Sequence, residues 1–175
     1  FNSYPHELSG GLRQRVMIGM AMICKPKLLI ADEPTTALDV TIEAQILKLM
    51  KKLCESVGTS IIMITHNMGV VAEICDYVYV MYAGRVVEST LTKTLFNETA
   101  HPYTSGLLKS IPTIGKKQDR LYTIKGNVPN ILNLPEGCRF VDRCDYAQDI
   151  CFSSRPADEY IKDNHMVSCF LHKRI

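Results

Sequence analysis

The stretch that decides the fold runs from Leu8 to Asp39 and reads LSGGLRQRVMIGMAMICKPKLLIADEPTTALD. It joins a serine–glycine–glycine turn, an apolar segment of helical length and a short apolar run that ends in two adjacent carboxylates, Asp32 and Glu33. A continuous apolar run without alternation is typical of a strand buried on both faces of a parallel sheet. Ligands bind at the carboxyl ends of the strands in such a sheet, so the two carboxylates mark a candidate site.

The pattern around this stretch predicts alternating helices and strands as far as residue 111. Ser9 and Asp39 are residue types that cap helices, Pro26 ends the first helix, and Gly58 ends the second. Alternating strands and helices build βαβ units, so the predicted fold class is α/β, with a mostly parallel sheet and flanking helices. The predicted helices cover residues 11–24, 39–57, 68–75, 91–96 and 103–111, and the predicted strands cover residues 28–31, 60–65, 77–82 and 85–88. The last two strands are predicted to form a hairpin through the turn Ala83-Gly84.

The composition is that of a globular protein. The chain has 175 residues, of which 46% are hydrophobic and 22% charged, and its formal net charge is +2. That charge is too small to indicate a nucleic-acid or membrane-surface partner. The sequence contains no apolar run of about 18 residues and no signal peptide. Because the chain starts with Phe1 and no strand precedes the glycine-rich turn, we expect a fragment that begins inside a domain.

A change of composition near residue 112 predicts a second, smaller domain. Residues 112–175 contain many proline, asparagine and glycine residues and only short apolar groups. So short a segment buries little apolar surface of its own. We therefore divide the chain into residues 1–111, which form the sheet domain, and residues 112–175, which form a small irregular cysteine-rich domain.

Four cysteines of this second domain form a candidate metal site. Their spacing is C-x5-C-x6-C-x17-C, and four thiolates can close a tetrahedral zinc site or hold a [4Fe–4S] cluster. The paired C-x2-C spacing of zinc ribbons is absent, and unmetallated thiols or crosslinks are the third interpretation. His165 and His172 are possible substitute ligands, but we expect both at the surface. The chain has seven cysteines in all, an odd number, which without a secretory signal favours a reducing compartment. The four clustered cysteines are Cys138, Cys144, Cys151 and Cys169.

Three short motifs carry the candidate chemistry. The pair Asp32-Glu33 can bind Mg²⁺ and polarise an attacking water, or it can cap the turn that follows. His66 follows a second apolar strand and can contact a phosphate or the same water, although a lone histidine at a strand end is more often structural. The turn Ser9-Gly10-Gly11 offers a hydroxyl and backbone N–H groups to an anion, but as a bare turn it is common. The phosphate-binding P-loop sequence G-x-x-x-x-G-K-[ST] does not occur in the chain.

In this order and spacing the motifs resemble those of the ATP-binding cassette (ABC) proteins. Residues 8–15 resemble the signature motif, residues 28–33 the Walker B strand, residues 36–39 the D-loop, and His66 the switch histidine. The resemblance implies a P-loop NTPase-like fold and an ATPase activity.

Three further motifs narrow the resemblance to the ATP-binding subunits of bacterial oligopeptide, dipeptide and nickel importers, and the likeness covers essentially the whole chain. Subunits of this kind carry an iron–sulfur cluster in the tail, so the resemblance favours [4Fe–4S] over zinc for the four cysteines. The three motifs are Tyr4-Pro5-His6-Glu7, His101-Pro102-Tyr103-Thr104 and Gly137-Cys138-Arg139-Phe140.

The resemblance also implies a mechanism, in which two cassettes meet head to tail with ATP between them. Glu33 would be the general base for the hydrolytic water, His66 would stabilise the γ-phosphate, and Asp32 would assist Mg²⁺ binding. Asp39 would lie at the seam of the dimer. The residues that would contact the ATP held by the partner cassette are Ser9, Gly10, Gly11 and Gln14.

The implied partners are a second ATPase subunit, identical or related, the membrane permease subunits and, indirectly, an extracytoplasmic peptide-binding protein, with no nucleic acid. The implied location is the periphery of the cytoplasmic face of the cell membrane. Asn67 stands where the family usually has Asp, and because His66 is kept we expect this difference to tune the activity rather than abolish it. The Walker A loop is not in the chain, so we expect the chain alone to be inactive. The alternatives are a soluble ABC ATPase without a transport role and a catalytically incomplete fragment that binds a metal or a partner.

Overall fold

The computed structural model describes residues 3–112 and 122–172 of the chain. The chain falls into two compact units that divide between Ile74 and Cys75. The boundary predicted near residue 112 stays a prediction, because residues 113–121 lie outside the described ranges. The mixture of helices and strands confirms the α/β class at that coarse level. No helix in the described ranges is long and apolar enough to cross a membrane.

The first unit contains a βαβ motif, as the sequence predicts. Its two strands pair in parallel, with Leu28 opposite Ser60 and Asp32 opposite Ile64. A long helix connects them, which is the connection that parallel strands require. The elements of this unit are α1 (Gly10–Met22), β1 (Leu28–Asp32), α2 (Val40–Val57), β2 (Ser60–Ile64) and α3 (Met68–Ile74), preceded by a 3₁₀ turn at Pro5–Glu7.

Local sequence signals fix the ends of these helices. The Ser9 hydroxyl accepts a hydrogen bond from the N–H of Leu12 at 3.4 Å, and the Asp39 carboxylate accepts one from the N–H of Ile42 at 3.0 Å. These bonds satisfy N–H groups that have no partner inside the helix. Helix α2 ends at Gly58, whose φ of +70° is a left-handed conformation that glycine adopts at little cost.

The core of the first unit lies on one side of its parallel sheet. Helices α1 and α2 cover the sheet face that carries Ala31, and the opposite face is open. Ile30 is 63% exposed and Ile62 is 48% exposed on that open face. The prediction that these strands are buried on both faces is therefore wrong for the described residues. The fully buried members of this core are Ile18, Ala31, Ile46 and Met50.

The second unit is built around a four-stranded sheet that is antiparallel throughout. The predicted hairpin of residues 77–82 and 85–88 is confirmed, and the mostly parallel sheet does not extend into this part of the chain. The strand order is β3-β4-β6-β5. The elements of this unit are β3 (Tyr77–Tyr82), β4 (Arg85–Leu91), α4 (Thr92–Asn97), α5 (Pro102–Lys109), α6 (Asp149–Ser153), β5 (Glu159–Lys162) and β6 (His165–Val167), with 3₁₀ turns at Ile131–Asn133, Val141–Arg143 and Phe170–His172.

The tail after residue 112 supplies two of these four strands, although the sequence predicts it to be irregular. Strand β6 pairs with β4 through Val167 opposite Glu88, and β5 and β6 form a hairpin. The hairpin turn is Asp163-Asn164, in which Asn164 has a φ of +57°. Asparagine tolerates this left-handed conformation better than most residues, which suits a two-residue turn.

An aromatic cluster explains the motifs His101-Pro102-Tyr103 and Gly137–Phe140 structurally. The ring centroids of Tyr82 and Tyr103 are 4.7 Å apart, and those of Tyr82 and Phe140 are 5.1 Å apart. His101 caps α5, because its Nδ1 accepts a hydrogen bond from the N–H of Tyr103 at 3.0 Å, and Pro102 occupies the first helical position. The two motifs therefore join strand β3, helix α5 and the tail into one core.

A buried carboxylate ties the same core together. Glu88 accepts hydrogen bonds from the N–H groups of Ala100 and His101 at 2.8 and 2.9 Å, and it contacts His165 Nε2 at 2.8 Å. Glu88 and His165 are 0% and 1% exposed. The expectation that His165 lies at the surface is therefore wrong. A carboxyl group so deeply buried is tolerated because both of its oxygens have hydrogen-bonding partners.

Candidate functional site

The carboxyl ends of β1 and β2 place Glu33 and His66 side by side. Glu33 follows directly after β1, and its N–H donates to the carbonyl of Ile64 at 2.9 Å, which extends the strand pairing by one residue. Its φ of +43° is unusual for a residue other than glycine, and such conformations cluster at functional sites. His66 Nδ1 lies 3.0 Å from Glu33 Oε1. The two residues that the sequence predicts for catalysis therefore form a hydrogen-bonded pair.

The environment of Glu33 keeps its carboxylate ionised and open to solvent. The second oxygen, Oε2, accepts a hydrogen bond from the Thr36 hydroxyl at 2.9 Å. The hydrogen bonds from His66 and from Thr36 hold the pKa of the Glu33 carboxyl below its usual value. Both members of the pair are accessible, since the side chains of Glu33 and His66 are 45% and 81% exposed. Such a carboxylate can orient a water molecule and accept a proton from it.

Asp32 lies at the last position of β1 and is exposed. Carboxylate oxygens are the ligands that Mg²⁺ prefers, so Asp32 is suited in kind to the role that the sequence predicts. The predicted Mg²⁺ contact stays a prediction.

The turn Ser9-Gly10-Gly11 lies at the start of α1, and its glycines have a packing role. A Cβ atom added to Gly11 would lie 2.7 Å from Cγ2 of Ile42 on α2, closer than real Cβ contacts come. Gln14, the remaining predicted residue of this motif, is half-buried on α1. The hydrogen bonds of Ser9 and Asp39 are made to their own helices, α1 and α2. Their predicted contacts with a partner cassette stay predictions.

A carboxylate that the sequence analysis missed lies beside the Glu33–His66 pair. Glu43, in the first turn of α2, accepts a hydrogen bond from the Thr35 hydroxyl at 2.8 Å and one from the Asn67 amide at 3.4 Å. Thr35 and Asn67 belong to the two loops that carry Glu33 and His66. The signal that could have found Glu43 is its place one turn after the cap Asp39, on the helix between the two strands.

The four tail cysteines are free thiols and are half-buried. Burial raises the pKa of the Cys138 and Cys144 thiols, and it raises that of Cys169 to about 11, with smaller contributions from the neighbouring thiols. Cys138 and Cys151 are also joined through the backbone, because the N–H of Cys138 donates to the carbonyl of Cys151 at 2.8 Å.

The described residues contain no group of three or more histidine, cysteine, aspartate or glutamate side chains that could hold a metal ion. The structure therefore does not support the predicted metal site or a domain organised by it. The substitute ligands are engaged elsewhere, because His165 is buried against Glu88 and His172 Nε2 lies 2.8 Å from the carbonyl of Ala100. The second unit is held by its sheet, its aromatic cluster and the buried Glu88.

Comparisons with known proteins match two parts of this chain to transporter families. Residues 1–36 match the ABC transporter family, and residues 87–151 match the family described as the oligopeptide/dipeptide transporter, C-terminal region. The chain is homologous to ATP-binding proteins of oligopeptide transport. The resemblance inferred from the sequence motifs is thereby confirmed.

Two of these homologues are the oligopeptide transport ATP-binding proteins AppD of Bacillus subtilis and OppD of Escherichia coli. AppD is 58% identical over 97% of this chain and 52% of its own length, and OppD is 53% identical over 95% of this chain and 49% of its own length. The chain thus spans about half the length of the curated relatives it matches. Among solved structures, cbiO1 from Clostridium perfringens, part of the ABC transporter complex cbiONQ, is 39% identical with a TM-score of 0.50, over 54% of this chain and 38% of cbiO1.

Proposed function

We propose that this chain is part of an ATP-hydrolysing subunit that energises peptide import through an ABC transporter. The observation that carries the proposal is the Glu33–His66 pair at the carboxyl ends of two parallel strands, with Nδ1 and Oε1 at 3.0 Å. Phosphoryl transfer needs positioning and charge stabilisation more than covalent chemistry, and such a pair can supply both. The names of the homologues, which are ATP-binding proteins of oligopeptide transport, support the substrate class.

In this mechanism water attacks the γ-phosphorus of ATP, the bond to the bridging oxygen breaks, and ADP and phosphate leave. Glu33 orients the water and accepts its proton. His66 stabilises the charge on the γ-phosphate. Asp32 would supply an oxygen ligand to the Mg²⁺ that accompanies ATP.

The nucleotide is shared between two subunits in this proposal. The N-terminus of α1 contacts the γ-phosphate of the ATP held by the partner, because a hydroxyl and free N–H groups at a helix N-terminus attract anions. Asp39 lies at the seam between the subunits. The dimer docks on membrane permease subunits at the cytoplasmic face, and an extracytoplasmic binding protein delivers the peptide. The residues of the α1 contact are Ser9, Gly10, Gly11 and Gln14.

The test is a steady-state measurement of ATP hydrolysis with the complete gene product that contains this chain, reconstituted with its permease. We expect Glu33→Gln to lower kcat about 100-fold or more, the usual contribution of a general base, and to leave ATP binding intact. Glu55→Gln, which removes an exposed carboxylate from the far end of α2, is the matched control and should leave kcat unchanged. An unchanged kcat for Glu33→Gln would overturn the assignment. Activity that no permease stimulates would instead favour a non-transport ATPase.

We propose, as a separate point, that Cys138, Cys144, Cys151 and Cys169 hold a [4Fe–4S] cluster when iron and sulfide are supplied. Each of these sulfurs lies near a backbone N–H, those of Phe140, Tyr146, Gln148 and Leu171, and such hydrogen bonds stabilise thiolates. The thiols also influence one another electrostatically. A cluster would order the tail, with no part in ATP hydrolysis.

Iron and acid-labile sulfide analysis of the gene product purified without oxygen tests this point. The expected result is about four of each per chain, lost together in Cys144→Ser. Cys24→Ser, which removes an exposed cysteine of the first unit, is the matched control. Zinc in place of iron would overturn the cluster in favour of a tetrahedral zinc site formed by the same cysteines. The absence of both metals would overturn any metal site there.

A further inference from the structure

The loops that carry Glu33 and His66 are bridged by a second carboxylate, that of Glu43. Its Oε1 accepts hydrogen bonds from Thr35 Oγ1 at 2.8 Å and from Asn67 Nδ2 at 3.4 Å. Thr35 lies two residues after Glu33, and Asn67 directly follows His66. A single half-buried side chain on α2 therefore joins the two loops whose relative position sets the Glu33–His66 distance.

The oxygen and the nitrogen of the Asn67 side-chain amide both form hydrogen bonds. Its Oδ1 accepts a hydrogen bond from the N–H of Gly69 at 2.9 Å, and its Nδ2 donates to Glu43. The N–H of Asn67 itself donates to the Thr65 hydroxyl at 3.0 Å, which fixes the backbone next to His66. An aspartate at position 67 would keep the bond to Gly69 but would bring a second carboxylate oxygen against Glu43. Like charges at such a distance repel and displace the groups that carry them.

We propose that Glu43 and Asn67 form a matched positioning pair that holds His66 in register with Glu33. The pair needs one acceptor and one donor, so the acid at position 43 requires an amide at position 67. Neither residue touches the reacting atoms in this proposal, and both act through the positions of the two loops. The inference deepens the proposed ATPase function and rests on it.

Glu43 could instead act only by stabilising the helix dipole of α2, and this role predicts a different result. A carboxylate in the first turn of a helix is stabilised by the helix dipole, whatever residue lies at position 67. A dipole role is independent of Asn67, whereas a positioning role couples the two residues. A double-mutant cycle therefore separates the two roles.

The experiment measures kcat and KM for ATP with the complete gene product carrying Asn67→Asp, Glu43→Gln or both changes. Asn67→Asp should lower kcat about 10- to 100-fold with KM changed less than about 3-fold, because a displaced catalytic group costs rate more than binding. The double variant should recover most of the loss, because the glutamine amide then donates to the new carboxylate. Glu55→Gln combined with Asn67→Asp is the matched control and should recover nothing.

The outcomes separate the pair from the proposed function. Full activity of Asn67→Asp, or a double variant no faster than Asn67→Asp, would overturn the positioning pair even with Glu33→Gln inactive. If Glu33→Gln retained full activity, the proposed function would fail. The coupling between Glu43 and Asn67 would then be measured from the Tm values of the single and double variants in thermal unfolding. In that case a Tm lowered by Asn67→Asp and restored by Glu43→Gln supports the pair, and additive Tm changes overturn it.

Discussion

The two units of this protein each contain one glutamate–histidine pair, and the pairs differ in almost everything except their chemistry. Glu33 and His66 lie 3.0 Å apart in the first unit, and Glu88 and His165 lie 2.8 Å apart in the second. The side chains of the first pair are 45% and 81% exposed, and those of the second are 0% and 1% exposed. Contact between a carboxylate and an imidazole is therefore not evidence of catalysis by itself, because burial decides which role the pair can have.

The buried pair is structural because nothing can reach it. Both Glu88 oxygens are occupied, by the N–H groups of Ala100 and His101 and by His165. These contacts join strand β4, strand β6 and the segment before α5. The oxygens of Glu33 also have hydrogen-bonding partners, His66 and Thr36, but the exposed pair joins only two loop ends, and its carboxylate and ring are open to solvent. The units as wholes differ in the same way, since the first has an open sheet face.

The largest effect that tests this comparison is expected from Glu88→Ala. Removing the carboxylate leaves two N–H groups and an imidazole buried without partners, which should lower the free energy of unfolding by about 3–5 kcal/mol. Urea unfolding of this chain, followed by circular dichroism, measures the loss. Glu33→Ala, at the exposed pair, should leave the urea midpoint unchanged. Equal losses for the two variants would contradict the distinction drawn from burial.

A smaller loss of stability is expected from replacing a buried apolar residue of the second unit, and a smaller one still from replacing an exposed apolar residue of the first. Leu95 on α4 is 0% exposed, so Leu95→Ala should cost about 2–4 kcal/mol through lost apolar contact and a residual cavity. Ile30 on the open face of β1 is 63% exposed, and Ile30→Ala should cost less than about 1 kcal/mol. The same urea titration measures both. A large loss for Ile30→Ala would show that the face is covered in solution.

Acid should destabilise the second unit through His101. Burial lowers the pKa of this imidazole to about 4, below its ordinary value of 6.5, with the Glu88 charge opposing the shift and His172 adding to it. The unfolded chain therefore binds more protons than the folded one between pH 6.5 and 4, so stability falls as the pH falls through this window. The loss should reach about 3 kcal/mol near pH 4.

Unfolding titrations between pH 7 and pH 4 test this expectation. His101→Asn retains a capping side chain for α5 without an imidazole, so its stability should vary less with pH over the same range. An equal pH dependence in the wild type and in His101→Asn would assign the effect to other groups.

The smallest expected effect is an increase in stability, for a substitution on helix α1 of the first unit. A Cβ atom at Gly19 of α1 would meet no other atom within 4 Å. Gly19→Ala should therefore stabilise the chain by about 0.5–1 kcal/mol, because alanine loses less backbone entropy in a helix. The reverse change at the exposed Ala21 of the same helix should cost a similar amount. A loss for Gly19→Ala, measured by thermal unfolding, would show that this helix surface is packed in solution.

The first unit could be predicted from the sequence because its signals are local. Ser9, Asp39 and Gly58 mark helix ends by their own hydrogen bonds and backbone angles, and the apolar runs at 28–31 and 60–65 mark two strands. Strand ends in a βαβ unit meet at one edge, so the closeness of Glu33 and His66 follows from their positions after those strands. The hydrogen bond of Glu43 with Asn67 does not follow, because it depends on which way the first turn of α2 faces.

The second unit could be predicted only in pieces. The hairpin of β3 and β4 and the helix that begins at Pro102 have clear local patterns. The pairing of β6 with β4 does not, because Val167 and Glu88 are distant in sequence and β6 is only three residues long. The four cysteines are a conspicuous local pattern, yet spacing alone says nothing about whether thiols meet in a ligand geometry.

The sequence by itself determined the βαβ unit, the carboxylates at its strand ends and the family motifs, since each depends on residues close together along the chain. Only the tertiary structure decided which glutamate–histidine pair is open to a substrate and which is sealed in a core. It alone placed His165 inside, brought the tail into the second sheet and set Glu43 against Asn67. The physical reason is that burial and long-range pairing depend on which surfaces meet, and a residue's sequence neighbours do not specify that.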